Sequence, residues 1–424
     1  IPELNAIRGY ETPSINRISD EGMRFARMYT EPSCTPTRVA FMTGRQPYRY
    51  GMGDTAVDIS GFGLPGKEVT LAEILSEIGY NTVHIGKWHM GDIEQAYASN
   101  QGFMHAEFPI HQQGQLTIFN DDAANEEVAI GIGKNNYDDR FTMDNWFRPD
   151  ASHMATVVEG KRGEKVREVH MKPGERWNQK KYNEMNERFQ RQALEHLGKL
   201  AKQEKPFFLQ YWPVIPLSNP RTTVDKFTTP NGGTYVESMK QLDGWIGEIL
   251  VEMDDLGISE NTLVVVMGDN GHFTKYSPGS GFTPMIYRGG KGDFLEGGVR
   301  VPAQAWWPGT IMPGTETDAI VTTTDLLPSL ANLVGGKVPD DRVIDGKDAL
   351  DVLLGKPGAA SPHDIHYYEV DGIRRGNWKL VRVGQARKKR SELYDLGTDI
   401  GETNDLAKEH PDIVKELEEL LVAH

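Results

Sequence analysis

Thr262-Leu263-Val264-Val265-Val266-Met267-Gly268-Asp269-Asn270-Gly271 decides the fold class. The run from Thr262 to Met267 is continuous, β-branched and apolar, which is the pattern of a strand buried on both faces. Immediately before it, Val236, Met239, Leu242, Ile246, Ile249, Leu250 and Met253 form a helical stripe closed by Gly257. Further upstream, Met185, Phe189, Leu194, Leu197 and Leu200 predict another helix, and Pro206-Phe207-Phe208-Leu209-Gln210-Tyr211-Trp212 the strand after it. Thr70-Leu71-Ala72-Glu73 is a capping box opening a short helix that Gly79 ends. Tyr80 to Ile85 is then a strand running into Gly86-Lys87-Trp88-His89-Met90-Gly91. Helical and strand patterns alternate, so the expected class is α/β: a large mixed, mostly parallel sheet flanked by helices.

The boundaries follow from composition. Residues 1–335 are expected to form the α/β domain. The Pro/Gly-bearing segment from Gly335 to Gly358 reads as a linker. Residues 336–424 are expected to form a smaller C-terminal α+β subdomain. It would hold short strands between Asp364 and Asp395 and a terminal amphipathic helix from Pro411 to Leu421. Two stretches, about 92 to 180 and about 273 to 305, lack periodicity, and long loops of this kind tend to carry function.

The formal net charge of −15 over 424 residues argues against nucleic acid as a partner, because phosphate neutralisation needs clustered Lys and Arg. The one compact basic run, Arg387-Lys388-Lys389-Arg390, reads as a solvated turn. No apolar run is long enough to span a membrane, so none is expected as a partner. A single cysteine leaves no internal disulfide, which excludes a disulfide-stapled module but not the bacterial periplasm.

That cysteine stands in Cys34-Thr35-Pro36-Thr37-Arg38. Free cysteine is usually a small buried hydrophobe, yet its neighbours here are polar. Thr35-Pro36 reads as an N-cap followed by a first-turn proline, with Cys34 just ahead of the helix. Free N–H groups there favour negative charge, and Arg38 adds a fixed cation one turn in. In open α/β sheets ligands gather beyond the carboxyl ends of strands. Two such ends carry Lys87 with His89 and Asp269 with Asn270. Lys and His suit anion and proton chemistry, and the oxygens of Asp and Asn suit a hard cation.

The pentapeptide resembles the C-x-P-x-R motif of the formylglycine-dependent sulfatases, an arylsulfatase-like family of the alkaline phosphatase superfamily. Gly86-Lys87-Trp88-His89-Met90-Gly91 is similar to that family's G-K-W-H-x-G segment. Arg288-Gly289-Gly290-Lys291-Gly292, with Glu296-Gly297-Gly298-Val299-Arg300-Val301-Pro302, is similar to its later glycine-rich block. Thr12 to Arg17 and Glu392 to Leu396 extend the likeness over nearly the whole chain.

The resemblance implies a hydrolase of sulfate monoesters, aryl or, in nature, carbohydrate sulfates. It implies formylglycine derived from Cys34 as nucleophile, installed by a formylglycine-generating enzyme. Arg38, Lys87, His89 and Lys291 would complete the catalytic set. Asp269 and Asn270 would bind Ca²⁺, or Mg²⁺. The partner would be a sulfated small molecule or glycan, and the location periplasmic or secreted. Glu296, Arg300 and Trp306-Trp307 are expected to be structural, and His272 to lie near the site without direct catalysis.

Two features depart from the family pattern. The family's first strand ends in paired metal-binding aspartates, whereas this chain opens at Ile1-Pro2-Glu3-Leu4, so an upstream segment is expected; Asp20, Asp54 and Asp58 do not match the context. The family's P-H-x-P is replaced by Pro213-Val214-Ile215-Pro216-Leu217. Lys291, or a loop histidine such as His105 or His111, would then protonate the leaving group. Two alternatives stay open at this point: a phosphate or phosphonate monoester hydrolase on the same scaffold, and a non-catalytic sulfated-glycan binding protein.

Overall fold

The structure is a computed structural model, and it describes residues 11–53, 61–109, 157–169, 179–214, 235–272, 286–384 and 389–424. Among them the strands are β1 Met23–Tyr29, β2 Asn81–Gly86, β3 His105–Pro109, β4 Val157–Lys161, β5 Arg167–Glu168, β6 Phe207–Trp212 and β7 Val264–Met267. They continue with β8 Arg300–Trp306, β9 Thr315–Thr317, β10 Val321–Thr322, β11 Ile365–Tyr368, β12 Gly372–Arg375, β13 Trp378–Val383 and β14 Arg390–Asp395. One five-stranded sheet runs β5-β4-β3-β2-β6, and a second runs β10-β1-β8-β7 with β9 also on β1.

The expected class of mixed sheets flanked by helices with a small C-terminal sheet is what the chain adopts. The antiparallel share is larger than the apolar runs suggest. β2 pairs in parallel with β3 and β6, but β7 pairs antiparallel with β8, as does β1. A continuous apolar run reports burial of both faces, not strand direction. In β7 even that burial is partial, since Val264 to Met267 are half-buried.

The helices follow their sequence signals. Thr70 accepts from the Glu73 amide while Glu73 returns a bond to the Thr70 amide, completing the capping box of the Leu71–Glu77 helix. The Gln179–Leu200 helix buries Met185, Phe189 and Leu197. The Tyr235–Asp255 helix buries Leu250 and Met253 against Trp306, Ile18 and Leu197. These two helices and the Pro13–Asp20 helix cover the sheets near the β6 and β7 residues of the same cluster.

Residues Gly335 to Gly358 are not a loose tether. The Asp345 and Gly346 amides donate to the Gly44 carbonyl, Asp345 pairs with Arg49, and Ala349, Val352 and Leu353 join the core around Met23 and Phe25. Pro and Gly there shape a packed segment, which composition alone cannot distinguish from a linker.

The C-terminal sheet, β11-β12-β13-β14, is an antiparallel meander covered by the Pro411–Ala423 helix through Leu417 and Leu421. A buried ionic cluster joins it to the rest. Lys379 on β13 lies 2.9 Å from Glu296 and 2.8 Å from Glu402, all three fully shielded from water. Tyr29 on β1 donates to Glu296 at 2.8 Å, and the Glu296 amide donates to Glu402 at 2.7 Å. Arg374 reaches the Tyr29 hydroxyl, and Arg300 pairs with Glu296 at 3.3 Å. Glu296 and Arg300 are thus structural, as expected, and so is the core residue Trp306.

Breaking a buried pair from one side leaves the remaining charge uncompensated. Lys379→Ala is therefore expected to cost about 3–5 kcal/mol in urea unfolding, whereas Lys337→Ala, at an exposed pair, should change the midpoint little.

Candidate active site

Cys34 opens a helix, Cys34–Thr43, with Ser33 at the N-cap position. The helix starts two residues earlier than Thr35-Pro36 suggests. Pro36 sits at the third helical position, where its missing N–H falls among the four that an α-helix start leaves unpaired in any case. Cys34 therefore lies inside the first turn rather than ahead of it, and it is fully buried.

Two separate chain segments, those of Lys87/His89 and of Lys291, converge on its sulfur. Lys291 Nζ donates to Cys34 Sγ at 3.3 Å. The His89 side chain hydrogen-bonds to the same thiol, and Lys87 lies close enough to act on it electrostatically. Arg38, one turn into the helix, donates to the Lys87 carbonyl at 2.8 Å and pairs with Asp269 at 2.7 Å. All the sequence-predicted catalytic residues, Cys34, Arg38, Lys87, His89 and Lys291, are thereby brought together, with Asp269 attached through Arg38.

The local backbone explains how. Gly86 ends β2 at φ 105°, and a Cβ there would lie 2.1 Å from the Trp212 carbonyl oxygen, so only glycine fits. That approach lets the Lys87 amide donate to Trp212 at 2.9 Å. Trp88 is buried with its indole N–H on the Ala96 carbonyl, which leaves its two neighbours to face the pocket. His89 holds a left-handed backbone at φ 58°, and its carbonyl accepts from Thr35 Oγ1 at 3.1 Å. On the other side, the Lys291 amide donates to the His272 carbonyl and the Gly292 amide to Pro32. Gly297 is pressed against the Arg288 and Gly289 carbonyls, where a Cβ would meet both at 2.5 Å.

The electrostatics follow from this crowding. Burial pushes the Cys34 thiol up, but Lys291, Lys87 and His89 outweigh it, and the thiol lies well below the ordinary value. Burial lowers Lys87 to about 8, although Cys34 and Asp269 hold it up in part. Burial would raise Asp269, yet Arg38, Lys87 and Lys291 keep its carboxyl well below the usual carboxylate range. The pocket is one in which an anion at position 34 is strongly favoured.

Asp269 and Asn270 lie just beyond β7. Asn270 donates its amide to the Gly271 carbonyl at 2.7 Å, while its Oδ1 is buried with no hydrogen-bond partner among the described residues. An ionised carboxylate beside an unsatisfied amide oxygen suits a hard cation. Among the described residues no group of three or more His, Cys, Asp or Glu could hold a metal ion. Asp269 and Asn270 on their own are fewer donors than a hard cation takes.

The proposed role of His105 as acid does not survive. It starts β3 opposite Val83, four residues short of Lys87 along β2, roughly 13 Å at strand rise. Its neighbours are His196 and Glu159, and burial holds it neutral, at about 4. His111, Asp54 and Asp58 lie outside the described residues, and Asp20 ends the Pro13–Asp20 helix. One contributor was hidden in the sequence. Trp212, read only as a strand residue, presents its ring to the Arg38 guanidinium at 4.5 Å and its carbonyl to Lys87. Its place at the carboxyl end of a strand was the available signal.

Residues 5–336 match the family described as Sulfatase, and residues 291–424 the family described as N-sulphoglucosamine sulphohydrolase, C-terminal. The chain is 31% identical over 375 residues to N-acetylgalactosamine-6-sulfatase of Canis lupus familiaris, covering 86% of this chain but 65% of that enzyme, so it spans just under two thirds of that relative's length. It is 31% identical over 455 residues to arylsulfatase A of Homo sapiens, covering 96% of this chain and 82% of that one. It is 27% identical over 457 residues to N-acetylgalactosamine-6-O-sulfatase of Bacteroides thetaiotaomicron, covering 97% and 87%. In fold it is similar to a sulfatase of Pseudoalteromonas sp., with a TM-score of 0.80 at 24% identity over 99% of this chain and 85% of that one.

Because Cys34 is the only cysteine, thiolate absorbance in the ultraviolet reports on it alone. In protein made without maturation of that residue, the titration midpoint is expected below the usual ~8.5. Lys291→Met should move it upward by roughly 1–3 pH units, the scale of one nearby opposite charge.

Proposed function

The chain belongs to the sulfatase family and is a sulfuric ester hydrolase, and we propose that it releases sulfate from carbohydrate sulfate monoesters using formylglycine at position 34. The observation that carries this reading is the convergence of Lys291, His89 and Lys87 on Cys34 at the start of a helix. A hydrated aldehyde at that position supplies one hydroxyl to attack sulfur and a second whose ionisation expels sulfate.

The chain's own residues account for the rest. Lys87 and Lys291 sit where the sulfuryl oxygens would be held, and their charge is worth more in a pocket shielded from water. Arg38 keeps its guanidinium on Asp269 and the Lys87 carbonyl, which orients Lys87. His89, hydrogen-bonded to the side chain at position 34, is placed to take a proton from it. Lys291 reaches the same atom and is the acid that serves the departing alcohol, since the stretch after β6 has no histidine and His105 is remote. Ca²⁺, with Mg²⁺ as the alternative, would be held by Asp269 and the Asn270 side-chain oxygen, adding Lewis-acid charge to the same pocket.

The amino-sugar 6-sulfatases among the relatives make a 6-O-sulfated N-acetylhexosamine the first substrate to try. A sulfated glycan is met outside the cytoplasm, so the reading carries a periplasmic or secreted location and a formylglycine-generating enzyme as maturation partner. No helix among the described residues is long and apolar enough to cross a membrane. The catalytic domain proposed for residues 1–335 would also take in the packed segment to Gly358, rather than leaving 336–424 as one unit, and the sheet from Ile365 onward would be the C-terminal subdomain that braces the Lys291 loop.

Cys34→Ser keeps one hydroxyl but lacks the second. It is expected to release at most about one equivalent of product and then stall, with steady turnover down roughly a hundredfold or more. Matured wild type should cleave N-acetylgalactosamine-6-sulfate in preference to the corresponding phosphate. Steady wild-type turnover by the serine variant, or a preference for phosphate, would sink the assignment.

A further inference from the structure

Lys291 stands in a loop from Arg288 to Gly297 that closes on itself. The Gly297 amide donates to the Arg288 carbonyl at 2.7 Å, and the Asp293 amide to the Gly290 carbonyl at 2.9 Å. Glycine at 289, 290 and 292 leaves this loop few side chains with which to anchor itself. The reach of the lysine therefore depends on what holds the loop from outside.

Both ends of the loop rest on one residue of the C-terminal subdomain. Glu402 lies in the connection between β14 and the Pro411–Ala423 helix and is fully buried. One oxygen of its carboxylate accepts from the Glu296 amide at 2.7 Å, and Lys379 lies 2.8 Å from the other. Its main-chain carbonyl accepts from the Arg288 guanidinium at 3.0 Å. The connection is itself fixed: Asp399 accepts from the Thr403 and Asn404 amides at 2.7 and 2.8 Å, and the Leu406 amide donates to Leu393 on β14. Within it Glu402 holds a left-handed backbone at φ 52°. A side chain makes that conformation costly, and it persists only where the surroundings impose it. In that conformation the carboxylate and the carbonyl of one residue serve the two ends of one loop.

We propose that Glu402 is a positioning residue for Lys291: it fixes the 288–297 loop at both ends and so sets the 3.3 Å approach of Lys291 Nζ to the side chain at position 34. Arg288 completes the grip, since its guanidinium also donates to the Tyr394 hydroxyl at 2.6 Å and pairs with Glu392 at 3.2 Å, both on β14. Glu402 acts through the loop, and the groups that favour an anion at Cys34 are Lys291, Lys87 and His89.

Placement and charge can be told apart by sign. Removing a carboxylate takes away negative charge, which by itself favours the Cys34 thiolate and lowers its titration midpoint. Loosening Lys291 weakens the thiolate's cationic partner and raises the midpoint. The catalytic consequence rests on the proposed sulfatase mechanism, but the placement does not, so the test uses no turnover.

Thiolate absorbance of Cys34 is titrated in the full chain, made without maturation of that residue, for wild type, Glu402→Ala, Glu402→Gln, Lys291→Met and the Glu402→Ala/Lys291→Met double variant. Glu402→Ala should raise the midpoint by roughly 1 pH unit, part of the effect of one nearby opposite charge. The same change in the Lys291→Met background should not raise it further. Glu402→Gln keeps an oxygen for the Glu296 amide and should stay at or below the wild-type midpoint. An unchanged or lowered midpoint in folded Glu402→Ala overturns the proposal. So does an equal rise with Lys291 already replaced, or a rise in Glu402→Gln as large as in Glu402→Ala. If Glu402→Ala does not fold, Arg288→Met at a part-exposed side chain takes its place. It should raise the midpoint only while Lys291 is present, and the absence of that difference overturns the proposal.

Discussion

The pocket depends on a balance of charge that water does not screen. Lys87, Lys291 and Arg38 lie close together around a fully buried sulfur, with His89 beside it. Cations gathered away from water raise one another's cost unless negative charge is present among them. Asp269 answers Arg38, and the position-34 side chain answers the two lysines. Burial has already lowered Lys87 to about 8, the mark of a site that an anion completes. A sulfate monoester brings such an anion, and the charge that redistributes toward oxygen during transfer meets groups already in place.

Holding those groups requires rigid backbone rather than long side chains reaching from afar. The Lys87 loop is pinned by the close contact of Gly86 with Trp212 and by buried Trp88. The Lys291 loop is held between Pro32 and His272 on one side and the Glu296 helical turn on the other. Glu296 is fixed in turn by Lys379, Tyr29 and Arg300, so the C-terminal sheet acts as a brace for the Lys291 turn. This explains why a charged cluster is tolerated in a fully buried place. Hydrophobic replacements could pack there, but they would not fix the turn through directed hydrogen bonds.

Much of this was legible in the residues. The capping box at Thr70, the helical stripes before β6 and β7, and the strand ends at Gly86 and Gly268 follow from local patterns with short-range causes. The residues gathered around Cys34 were legible because each lies in a short segment of unusual composition. Strand direction in β7 was not, since apolar content says nothing of which way a neighbour runs. The packed character of Gly335 to Gly358 was hidden because Pro and Gly serve tethers and tight turns alike. The contact of Trp212 with Arg38, 174 positions away, depends on tertiary packing with no local signature.

The central claim is that position 34 carries the nucleophile as an oxidised side chain rather than a thiol. Peptide mass spectrometry across residues 31–38 of protein from its native host tests it most directly. The account predicts replacement of the Cys34 thiol by an aldehyde or its hydrate. An intact thiol throughout, in a host able to install formylglycine, would contradict it.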